Sequence, residues 1–68
     1  MIVEGDRVTA TKALQNGEIP AGSIGIIIDI YDSPPGFEVE FKIGEDYIPV
    51  GCHPEEIAPE QRQSQKAS

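Results

Sequence analysis

Two stretches of the chain alternate strictly between apolar and polar residues. Val8 and Ala10 alternate with Arg7 and Thr9, and Phe37, Val39 and Phe41 alternate with Glu38 and Glu40. A period of two sends successive side chains to opposite faces, the signature of a half-buried strand. Gly5-Asp6 opens the first strand. The third strand follows Asp32-Ser33-Pro34-Pro35-Gly36, which reads as a turn because two prolines remove ladder donors and glycine permits positive φ. Gly44-Glu45-Asp46 reads as a hairpin turn, and Tyr47–Val50 as a fourth strand with Ile48 and Val50 on one face. Pro49 cannot donate to a ladder, so it marks an edge or a strand end.

The second strand, Ser23–Tyr31, is less regular. Ile24, Ile26, Ile28 and Ile30 share one parity, whereas Ile27 and Tyr31 fall on the other. Large apolar groups on both faces predict a bend or β-bulge, by which one strand serves two sheets. Gly25 is the expected point of bending or close backbone approach. Five isoleucines within so short a run favour strand over helix. Residues 12–22 form a long connection containing Asn16-Gly17, Pro20 and Gly22, with Leu14 and Ile19 to tuck it onto the core. His53-Pro54-Glu55-Glu56-Ile57 predicts one 3₁₀ turn, since proline suits the first helical position and glutamates its positive end. Ile57 then begins a short fifth strand, ended by Pro59. The pattern predicts an all-β fold, a five-stranded SH3-like barrel over 1–59. Residues 60–68 are nearly all polar and are expected to be a disordered tail, unable to offset their ordering entropy by burial.

The order of these signals adds a resemblance. Gly5-Asp6-Arg7-Val8, Gly22-Ser-Ile-Gly25-Ile-Ile, Phe37-Glu-Val-Glu-Phe41 and Pro54-Glu-Glu-Ile57 occur in that sequence in small bacterial SH3-like domains. The chain resembles a domain-of-unknown-function family reading Gly-Asp-x-Val, then Gly-x-x-Gly-x-Ile, then Val-Glu-Phe. The resemblance covers about residues 3–59. It implies a barrel and leaves activity open, because turn glycines and core residues specify fold.

Length allows a single domain, whose small core makes a partner or self-association a reasonable source of stability. Cys52 is the only cysteine, which excludes an intrachain disulfide and fits a cytoplasmic setting. The N-terminus does not read as a signal peptide, and the apolar run Ile24–Ile28 is too short for a bilayer. Twelve acidic residues against five basic ones give a net charge of −7. The scattered Arg7, Lys12, Lys42, Arg62 and Lys66 argue against phosphate-backbone binding and against anionic membranes. Solubility accounts for such a charge, and a basic partner would suit it.

No residue pattern compels catalysis. Cys52-His53 with Glu55 and Glu56 offers four metal-ligand types in five residues. Strand neighbours diverge, however, and zinc needs converging ligands, so no metal or cofactor is expected. For the same reason a Cys–His nucleophilic pair is not expected. Glu38 and Glu40 read as a solvated face. Tyr31, Tyr47 and Pro34-Pro35 are placed near one rim, but a proline-peptide groove needs more aromatics than this chain has. Gly22-x-x-Gly25 precedes a strand, so it is no phosphate loop. The leading reading is a non-catalytic interaction or accessory module, bound to a protein partner or to itself. Its candidate surface is Glu38, Glu40, Glu45, Asp46, Tyr31 and Tyr47, with the 12–22 loop. One alternative is an enzyme assembled by oligomerisation, like type II dihydrofolate reductase. Tyr47-Ile48-Pro49-Val50 resembles that enzyme's pore strand only faintly, and the glutamine there is absent. A nucleic-acid-associated barrel is the other alternative, and the charge opposes it.

Overall fold

Around the alternating segment Phe37–Phe41, a computed structural model describing residues 2–60 builds a single antiparallel sheet. Its strands are β1 (Arg7–Ala10), β2 (Ile24–Asp32), β3 (Pro35–Ile43), β4 (Asp46–Cys52) and β5 (Ile57–Pro59). They lie in the order β4-β3-β2-β1-β5. Val8, Ala10, Val39 and Phe41 all face inward and are buried, as their alternation predicts. Cross-strand register stacks the inner face in three rows: Gly25–Phe41–Ile48, Ile27–Val39–Val50 and Ile30–Phe37–Cys52. Leu14 and Ile19 bridge each other through paired backbone hydrogen bonds of 2.8 and 3.1 Å and close the core from above.

The expected irregularity in β2 is a bulge. Register with β3 shifts between Ile27 and Asp29, leaving Ile28 as the extra residue. The bulge moves Ile30 to the inner face with Ile27, and it leaves Ile24, Ile26 and Ile28 outside. Four isoleucines of one parity therefore do not enclose the core. Ile27, of the other parity, pairs with Val39 and is buried. Gly25 decides which parity faces inward. A β-carbon there would lie 2.6 Å from Val39 Cγ1 and 3.0 Å from the Glu40 carbonyl oxygen, so any other residue forces its neighbours to shift.

Several expectations shift. The expected barrel is not closed by a ladder: β4 and β5 are the two edges of one open sheet. β5 is only three residues long and ends at Pro59, so it offers little to pair. The turn after β2 is tighter than Asp32–Gly36, because Asp32 already pairs with Pro35 and leaves Ser33-Pro34, with a cis peptide bond, as the loop. Pro35 is admitted because the first residue of a strand need not donate. Likewise Asp46 pairs with Ile43, so the second hairpin turns on Gly44-Glu45 alone, with Gly44 at φ +64°. The 3₁₀ turn at Pro54–Glu56 is present, its His53 N–H donating to Glu56 Oε1 at 2.9 Å. A second such turn, Gln15–Gly17, lies in the long connection. It uses the left-handed tolerance of Asn16, at φ 55°, and Gly17, at φ 92°.

Residues 61–68 of the expected tail lie outside the described residues. Glu60 prolongs the β1–β5 pairing, its N–H donating to the Arg7 carbonyl at 3.1 Å. Its carboxylate accepts from Arg7 Nε at 2.6 Å and from the other guanidinium nitrogen at 3.3 Å. No helix among the described residues is long and apolar enough to cross a membrane.

Candidate interaction surface

Strand pairing gathers four of the six candidate residues on the outer face of the sheet. Glu38 and Glu40 point outward from β3, opposite to the buried Val39. Tyr31 pairs with Gly36 and Tyr47 with Lys42, positions of the same outward parity. Glu45 and Asp46 lie next to Tyr47 at the tip of the β3–β4 hairpin, away from Glu38, Glu40 and Tyr31. The two tyrosines do not share a rim as expected. Tyr31 stands at the β2–β3 turn and Tyr47 at the β3–β4 turn, at opposite ends of β3. The reason is geometric: the two hairpin turns that bound a central strand must lie at its two ends.

The outer face carries more than these residues. Ile24, Ile26 and Ile28 run along β2 at 38, 42 and 44% exposure, and Tyr47 is 59% exposed. Large apolar side chains left outside in a row are the informative departure from ordinary burial. Arg7, Ile26, Glu40 and Pro49 form one row across four strands. A shallow hollow of about 250 Å³ between these rows is lined by Arg7, Ile24, Ile26, Glu40, Lys42 and Tyr47. Its two cations have local partners. Arg7 is held by Glu60, and Lys42 Nζ donates to the Gly44 carbonyl at 2.9 Å while lying 5.2 Å from the centre of the Tyr47 ring. Among the described residues, Asp29, Glu38 and Glu40 have no ion-pair partner. The Tyr31 hydroxyl is held above its ordinary range, chiefly by desolvation and then by the charges of Glu38 and Asp29.

A second hollow, of about 320 Å³, lies where β2 turns into β3, lined by Tyr31, Pro34, Pro35, Phe37, Cys52 and His53. β4 ends at Cys52 and His53 caps the following 3₁₀ turn, so both line this hollow but differ in burial. The Cys52 sulfur is buried and His53 is exposed. Burial, then the charges of Glu56 and Glu38, push the thiol up to about 11, which leaves it protonated and unreactive at neutral pH. Among the described residues no three His, Cys, Asp or Glu side chains converge to hold a metal ion.

Pattern reasoning named Glu38, Glu40, Tyr31 and Tyr47 but omitted the isoleucines between them. Their signal is the apolar parity of β2, which with large apolar groups on both faces does not by itself say which face is buried. Compared with known proteins, the chain matches no family model, no curated protein and no solved structure.

Proposed function

We propose that this chain is a non-catalytic protein-interaction module of the SH3-like barrel kind, docking through the outer face of its sheet. The SH3-like reading is supported by the strand order β4-β3-β2-β1-β5, the long first connection and the 3₁₀ turn before the last strand. The resemblance to the small bacterial domain family agrees with that layout. The interaction reading rests on one observation: Ile24, Ile26, Ile28 and Tyr47 lie exposed on one continuous face. Exposed apolar groups lose unfavourable hydration when a partner covers them, at roughly 25 cal/mol per Å². Exchange of Ile24 and Ile26 for serine leaves the buried rows untouched, so the doubly substituted protein folds. Affinity capture from the native host, run in parallel with both proteins, tests the reading. A partner held by the original chain and lost by the variant is the expected result. Retention of the same proteins by both would overturn it.

A further inference from the structure

Resting on the docking reading above, we infer that the partner segment is a basic amphipathic helix laid along β2 and β3. β3 is flanked throughout by β2 and β4, and β2 is flanked by β1 as well as β3 over residues 24–27, so the backbone there is paired within the sheet. The face between them therefore offers side chains alone. A segment covering it receives no ladder hydrogen bonds and must satisfy its own backbone, which a helix does. The free backbone edges, where an extended segment could add as a strand, lie elsewhere, along β4 with its Pro49, along β5, and along β2 beyond Ile27.

The chemistry of that helix follows from what the face leaves uncompensated. Ile24, Ile26 and Ile28 form an apolar stripe, and neighbouring strands lie about 5 Å apart, so Glu38 and Glu40 form an acidic stripe directly beside it. Asp29 adds a carboxylate at the bulge. Arg7 is paired with Glu60, so Lys42, held by the neutral Gly44 carbonyl and Tyr47 ring, is the remaining cation of the face against three carboxylates. Every acidic residue of the chain lies within residues 4–60, whereas Arg62 and Lys66, two of its five basic residues, lie beyond them. The described residues are thus more acidic than the chain as a whole. A second copy would bring acidic face to acidic face, and an anionic lipid surface would be repelled. A helix with leucine-like residues toward β2 and lysine or arginine toward β3 matches both stripes.

The test uses the full chain labelled with ¹⁵N and a synthetic amphipathic peptide of leucine and lysine. Two control peptides accompany it, one with glutamate in place of lysine and one with the same residues in unpatterned order. The expected outcome is amide shifts centred on Ile24, Ile26, Ile28 and Glu40 with the patterned lysine peptide alone. Affinity falls about tenfold or more for Glu38→Gln/Glu40→Gln, since close charge pairs at interfaces are worth that much. The variant's own spectrum reports that it is folded. Shifts on the same face with the glutamate peptide, or with protein concentration alone, would overturn the basic helix and leave docking at this face standing. Shifts confined to the hollow at Tyr31 and Pro34, or none with any peptide, would remove both.

Discussion

Val39 is fully buried between Ile27 and Val50, and among the described residues no charged side chain is buried with it. Val39→Asp must then bury an unpartnered carboxylate, at a cost of several kcal/mol. That approaches the whole stability of so small a domain. The variant is expected to be unfolded at neutral pH, while Glu40→Ala on the opposite face keeps the fold; circular dichroism with urea titration compares them. Gly25→Ala is milder. Its new methyl meets Val39 Cγ1 at 2.6 Å and the Glu40 carbonyl at 3.0 Å, and only the side chain can yield. A loss of ~1–3 kcal/mol, the usual cost of overpacking, is expected as a lower denaturation midpoint. Cys52 gives a pH dependence. Its thiol is raised to about 11 in the folded chain, so the folded state holds the proton more tightly than the unfolded one. The resulting stability is complete below the ordinary thiol range and is lost as pH rises through about 11. Cys52→Ala should flatten the alkaline fall in melting temperature. Iodoacetamide should label the original chain at neutral pH only when denaturant is present; rapid labelling without it would contradict the burial.

At the scale of elements, the bulge in β2 sets which isoleucines meet solvent. Ile28 is the residue without its own partner on β3. Its deletion would set Asp29 opposite Glu38 and Ile30 opposite Phe37 in an unbroken ladder, with every side chain on its present face. Deleting Ile30 instead removes a residue of the inner row Ile30–Phe37–Cys52 and turns Tyr31 and Asp32 to the other face. The first deletion is expected to fold with a modest loss of stability and the second to lose far more, as thermal denaturation of the pair would tell. Equal melting temperatures would contradict this register. The same element shows what the sequence made legible. Local alternation located β1 and β3, and proline and glycine located every turn to within a residue or two. The 3₁₀ turn at Pro54–Glu56 was legible because its proline and glutamates act within a single turn. The choice of inner parity in β2 was not local. It depended on Gly25 fitting beneath Val39 and Phe41, residues more than a dozen positions away. The candidate surface was half legible for that reason. Its acidic residues lie on the strand with clean alternation, and its apolar ones on the strand without it.

Taken whole, the molecule is a single sheet with two open margins, and Pro49 sits in the longer of them. On β4 it pairs across from Glu40, in the outer row. A strand at a margin exposes donors and acceptors that another chain can match, and identical copies match them best of all. Growth of a fibre by this route needs an unbroken register repeated from copy to copy. Pro49 withdraws one donor from the middle of that register, so each incoming strand would leave an acceptor bare. Its value thus lies outside the native fold, in the crowded minutes after synthesis when many copies with similar margins meet. Pro49→Val should change the melting temperature little and yet shorten the lag before light scattering rises in a concentrated, warmed sample. The proline would then be a guard against polymerisation, kept at a place where the fold has no use for it.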